Sequence, residues 1–131
     1  MAKEFKSINF INFPNREEEL DNIIYCMTFL ACATLLNLNL YKTRIKNSLL
    51  STIRKSTFAN RKLKYLDVGY TRVTDKGVKE LKGLPHLSFL NFDFTQVSLS
   101  CRNILADIPS LQPVRLNGIT KEVCEDEYYD I

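Results

Sequence analysis

A chain of 131 residues has room for one domain, and its 45% apolar and 25% charged residues suit a folded core under an ordinary polar surface. No run of about 18 uncharged apolar residues occurs, which excludes a membrane-spanning helix, and the net charge of +3 hides an uneven distribution along the chain. The opening "MAKEFKSINF" lacks the apolar core and small-residue cleavage site of a secretory signal, and it lacks the Arg-rich, acid-poor make-up of a mitochondrial presequence. The four cysteines, Cys26, Cys32, Cys101 and Cys124, form no C-x-x-C. They read as reduced thiols of an intracellular protein, cytoplasmic or mitochondrial.

In chain order, "FKSINFINF" from Phe5 predicts a short first strand. "PNREEELDNIIYCMTFLACA" predicts a helix. Asn15 caps it, Glu18 stands three residues on as in a capping box, and Leu20, Ile23, Ile24, Met27, Leu30 and Ala31 form its buried stripe. "LLNLNLYKTRI" predicts the second strand and its turn, and "NSLLSTIRKSTF" a shorter helix with Leu49, Leu50 and Ile53 inside. "LKYLDVGYTRV" predicts the third strand. In "TDKGVKELKG" Thr74 caps a helix, Val78 and Leu81 share its inner face and Gly83 stops it. "LSFLNFDFTQV" predicts the fourth strand, and "SLSCRNILADIP" a helix with Ile104, Leu105 and Ile108 inside, ended by Pro109. "LQPVRLNGI" predicts a fifth strand. Residues 1–121 are read as one domain and residues 122–131, with five acids and no base, as an acidic C-terminal tail.

The strands repeat one another. Leu63–His86 and Leu87–Ser110 are both 24 residues long and both begin L-x-x-L-x-[VF]. Leu35, Leu38, Leu40, Thr43 and Ile45 match Leu63, Leu66, Val68, Thr71 and Val73, and these match Leu87, Leu90, Phe92, Thr95 and Val97. The fifth unit offers Leu111, Val114, Leu116 and Ile119, and the first Phe5, Ile8, Phe10 and Phe13. A strand–turn–helix unit cannot bury its apolar face alone, but stacked units can. The pattern resembles the leucine-rich repeat, L-x-x-L-x-L-x-x-N/C-x-L, with Thr43, Thr71 and Thr95 where the family has Asn or Cys. "TRVTDKGVKEL" is similar to the T-D-x-G repeats of the F-box-associated, cysteine-containing subclass and of proteins like ATP synthase coupling factor B. The fold expected is therefore α/β: a leucine-rich-repeat solenoid of about four to five repeats, with a parallel concave sheet and convex helices. A Thr hydroxyl at 43, 71 and 95 is expected to hydrogen-bond the turning backbone.

Residues that could carry chemistry are few. The one histidine, His86, lies in an "LPHL" turn with no G-x-S-x-G or other nucleophile motif. Cys26 and Cys32 are six apart on a helix, and Cys101 and Cys124 lack close Cys or His partners, so metal binding is not expected. The glycines at 69, 77, 83 and 118 form neither a dinucleotide fingerprint nor a P-loop. No enzyme, cofactor or small-molecule substrate is implied.

Template alignment instead writes out a surface. Asn9, Asn39, Asp67, Asn91 and Arg115 share one position between the strand anchors, and Ile11, Tyr41, Gly69, Asp93 and Asn117 the position two later. Asn12, Lys42, Tyr70, Phe94 and Gly118 come next, and Ser7, Asn37, Tyr65, Phe89 and Pro113 precede the first anchor. Tyr41, Tyr65, Tyr70, Phe89 and Phe94 are expected as aromatic anchors on the open sheet, with Asn39, Asp67, Asn91 and Asp93 as polar orienters of a protein partner. The leading reading is a non-enzymatic interaction module, a small subunit or adaptor of a multi-subunit assembly that binds through the concave face and the solenoid ends. From the resemblance, a ubiquitin-ligase substrate-receptor-like adaptor is an alternative. A second alternative comes from charge: 12 basic and 3 acidic residues lie between Lys42 and Lys82, and Lys76, Lys79 and Lys82 form an outward ridge suited to nucleic acid or another anionic surface.

Overall fold

A computed structural model describes residues 7–9, 36–55 and 62–122. The order of elements is β1 (Ser7–Asn9), β2 (Asn37–Asn39), α1 (Asn47–Lys55), β3 (Tyr65–Asp67), α2 (Asp75–Leu81), β4 (Phe89–Asn91) and α3 (Cys101–Ile104). The four strands form one parallel sheet in the order β1-β2-β3-β4. Ile8 pairs with Leu38, Leu38 with Leu66 and Leu66 with Leu90, so the middle residue of each strand stands beside its counterpart. Parallel neighbours require a crossover, and α1 and α2 lie in the β2–β3 and β3–β4 crossovers.

Leu38, Leu66 and Leu90 point into the core and are almost fully buried. Their neighbours at 37, 39, 65, 67, 89 and 91 point to the opposite face, as the two-residue period of a strand demands. Leu49, Leu50 and Ile53 of α1 and Val78 and Leu81 of α2 close the core from the helical side. Thr74 caps α2, its hydroxyl accepting from Lys76 N, while Asn47 at the start of α1 donates to that same hydroxyl at 2.7 Å. One side chain therefore ties both helix starts together. Asp75, almost fully buried, accepts from the backbone N–H and the hydroxyl of Ser98, anchoring the segment that leads to α3.

The solenoid of four to five strand–turn–helix repeats expected from the sequence is not what the described residues form. They make a single sheet of three-residue strands with three helices of nine, seven and four residues. Among the described residues the fifth unit supplies neither strand nor helix. Arg115 forms an isolated bridge to Asn91, and Gln112 N donates to Ser88 O just before β4. Pro113 has no N–H to give a ladder, and Leu111, Val114, Leu116 and Ile119 are only partly buried against the core. The helices shorten along the chain until the last is a single turn, so no one unit is repeated whole. What recurs is narrower: a three-residue strand and the turn after it.

Two further expectations change. Gly83 follows the α2 cap, Lys82, but does not take the left-handed conformation by which a glycine at that position ends a helix. On α3, Ile104 is only partly buried, while Cys101 is fully buried beside Leu105 and Ile108. The helix expected over residues 14–33, the residues Phe5, Phe10 and Phe13, the cysteines at 26, 32 and 124, and the tail from 123 to 131 lie outside the described residues.

Candidate interaction face

The turns that follow the strands build the site. After each strand the backbone ladder continues into the turn: Leu40 N donates to Asp67 O, Val68 N to Asn91 O and Phe92 N to Arg115 O, all at 2.8–3.0 Å. Two residues further, Lys42 N donates to Gly69 O, Tyr70 N to Asp93 O and Phe94 N to Asn117 O. Side chains complete each turn. Thr43, Thr71 and Thr95 donate their hydroxyls to Leu40 O, Val68 O and Phe92 O at 2.6–2.7 Å. The Oδ1 atoms of Asn39, Asp67 and Asn91 accept from the backbone N–H two residues on, at Tyr41, Gly69 and Asp93. These are Asx turns, side-chain acceptors taking the place of a backbone carbonyl.

The turn geometry fixes one unusual position. Lys42, Tyr70 and Phe94 have φ of 60°, 53° and 56°, and the matching Gly118 has 77°. Only glycine takes that left-handed conformation freely; a bulky residue there costs on the order of 1–2 kcal/mol. The donated N–H bonds just described hold all three non-glycine residues in place. The consequence is directional: the side chains are thrown off the turns onto the sheet face away from the core.

Tyr65, Tyr70 and Phe94 are 48%, 41% and 49% exposed. Tyr70 stacks on Phe94 with ring centroids 4.6 Å apart and meets the edge of Tyr41 at 5.3 Å. Lys42 Nζ stands 5.5 Å from the Tyr70 ring centre. Tyr65 and Phe89, opposite one another on β3 and β4, lie 5.6 Å apart. The face thus carries two aromatic clusters with the Asn39–Asp67–Asn91 row between them. Gly69 makes room for the first cluster, since a Cβ there would stand 2.8 Å from Tyr41 Cδ2. Gly118 makes room for the Phe94 ring in the same way. Partial burial raises the Tyr41 phenol above its ordinary value, and Tyr70, Asp67 and Asp93 raise it further.

The structure brings all nine sequence-derived site residues to one face, but not in equal roles. Tyr41, Phe89, Asn39 and Asp67 are half-buried. Asn91 and Asp93, expected as exposed orienters, are buried at 3% and 4% exposure, and both bond the backbone. Asn91 caps its own turn. Asp93 caps the next one, accepting from Asn117 N at 2.8 Å and pairing with Arg115 at 2.9 Å. The reason lies in the sequence: where Asn39, Asp67 and Asn91 supply an acceptor, the fifth unit has Arg115, which cannot accept, so the preceding turn supplies the oxygen. Arg115, Asn117 and Lys42 were not singled out as site residues. The break in the Asn/Asp column at 115, and Gly118 aligned with Lys42, Tyr70 and Phe94, were the available signals for them.

His86 is exposed in its turn, beside Lys62 and Lys64 across a shallow cleft. Among the described residues no group of three His, Cys, Asp or Glu side chains is placed to hold a metal ion, and no helix is long and apolar enough to cross a membrane.

No protein-family model matches the chain, and no curated protein matches it. Among solved structures it is similar to leiomodin-1 actin-binding site 2 (ABS2), with a TM-score of 0.65, covering 86% of this chain and 70% of that one. At 14% identity the likeness is one of fold.

Proposed function

We propose that this chain is a non-enzymatic protein-interaction module that binds its partner through the two aromatic clusters of the exposed sheet face. The observation that carries the reading is the Tyr70–Phe94 stack: two large rings, more than 40% exposed, held at left-handed positions where glycine would be free of strain. Backbone strain of this kind persists where the surroundings over-determine it and concentrates at binding and catalytic sites. Exposed aromatic rings are also the side chains that most often anchor an interface. The fold it shares with an actin-binding fragment is compatible with a protein partner. The partner is a component of a larger assembly, and the ring face is where it docks.

The test is affinity purification from cells, then affinity measurement for the recovered partner. Tyr70→Asn and Phe94→Asn should each weaken binding by about 1–2 kcal/mol, the size of an interface hot spot, without unfolding the protein. Unchanged affinity in the double variant would remove this face from the interaction.

A further inference from the structure

Between the aromatic clusters, Asn39, Asp67 and Asn91 stand side by side in the register of the sheet. All three do the same work for the backbone, each accepting one N–H two residues on. Two do it with a neutral amide. An acceptor oxygen is all that the turn requires, so the negative charge at Asp67 is surplus to the fold. The other carboxylate on the face, Asp93, is buried and neutralised by Arg115 at 2.9 Å. Asp67 is only half-buried, and among the described residues no cation pairs with it. Tyr65 projects from the same face two residues before it, and the Tyr41 ring lies over Gly69 two residues after it. Along the face, Asp67 therefore lies between the Tyr65 position on β3 and the Tyr41 ring over Gly69.

We propose that Asp67 is the receptor for an arginine side chain of the protein partner, seated between Tyr65 and Tyr41. This rests on the reading of the face as a protein-binding surface and names the chemistry of what it binds. A carboxylate offers charge-assisted hydrogen bonds to a planar guanidinium, and the flanking rings offer it their electron-rich faces. The cluster already holds one cation in this way, Lys42 over Tyr70. Arginine suits the position better than lysine because its planar group stacks on rings while its N–H donors reach the carboxylate.

The test uses isotope-labelled protein and NMR titration at physiological salt with three short glycine–serine peptides, carrying arginine, citrulline or glutamate at the centre. Citrulline keeps the shape of arginine without its charge. The arginine peptide should shift the amide signals of Tyr41, Tyr65 and Gly69, the citrulline peptide should bind at least about tenfold more weakly, and the glutamate peptide should leave them unmoved. Asp67→Asn should keep the Gly69 cap, as Asn39 and Asn91 keep theirs, and the native melting temperature, yet lose the preference for arginine over citrulline. Equal binding of the arginine and glutamate peptides, or native arginine binding by Asp67→Asn, overturns the proposal. With the recovered partner, loss of binding in Tyr70→Asn and Phe94→Asn but not in Asp67→Asn refutes the arginine receptor and leaves the face in place; no loss in any of the three refutes both.

Discussion

Replacing Tyr70 by asparagine should change stability by less than about 1 kcal/mol, although it deletes an aromatic ring. Three quantities decide this. The left-handed backbone at φ 53° penalises tyrosine by roughly 1–2 kcal/mol, and asparagine is among the residues that visit that region most readily, so much of the penalty is recovered. Against this stand the stack on Phe94 and the edge contact with Tyr41, each of order 0.5–1.5 kcal/mol at most for a ring already 41% exposed. The N–H bond from residue 70 to Asp93 O survives, since asparagine keeps it. The opposing terms nearly cancel. Alanine would be the wrong probe, because it loses the ring and keeps the strain. The control is Leu90→Ala, four residues from Phe94 but pointing to the other face, with no exposed surface. It should cost about 2–5 kcal/mol through lost burial and a cavity. Urea unfolding of both variants and the native protein gives the comparison. A loss above about 2 kcal/mol for Tyr70→Asn, or below about 1 kcal/mol for Leu90→Ala, would mean that the two faces of the sheet have been assigned the wrong way round.

The Cys101 thiol is pushed from 9.0 up to about 11, by burial first and by Asp75 second, with Arg102 opposing. The folded state thus holds a proton that the unfolded chain gives up, so this contribution to stability is intact below pH 9 and is lost as pH rises towards 11; a Cys101→Ala variant should show a flatter stability profile over that window in urea unfolding, and an unchanged slope would refute the assignment. Nucleic-acid binding through Lys76, Lys79 and Lys82 would weaken steeply with salt through counterion release. The ring-face reading expects little affinity for generic DNA or RNA at physiological salt, and tight binding abolished by reversing those three charges would replace it.

Legibility followed the distance over which each feature is determined. Leu38, Leu66 and Leu90 could be aligned from L-x-x-L-x-[VF] because a strand residue and its register partner obey the same local alternation, and the sheet pairs them as aligned. The threonine hydroxyls at 43, 71 and 95 were legible for the same reason, since each bonds a carbonyl three residues back. The number and completeness of the units was not legible. Whether "LQPVRLNGI" becomes a strand depends on what it packs against, and with Pro113 in its path only Arg115 makes the bridge. Burial of Asn91 and Asp93 was missed because residue type alone marks them as surface groups; the Asn91 bond to Asp93 N is local, but the partners of Asp93, Asn117 N and Arg115, become visible only when turns stack.

The column Lys42, Tyr70, Phe94, Gly118 carries the functional argument furthest. The four share one backbone conformation, so the fold imposes the same demand at each. At Gly118 the demand is met without strain, and the missing side chain is what lets the Phe94 ring lie against the turn. At Tyr70 and Phe94 it is met by the residue type that suits it least, and the ring contacts on the exposed surface roughly offset the cost. Stability alone gives no preference for a ring over asparagine at either. Rings at these two turns, beside a carboxylate at Asp67 that the turn does not need charged, are the features on which the proposed binding face rests.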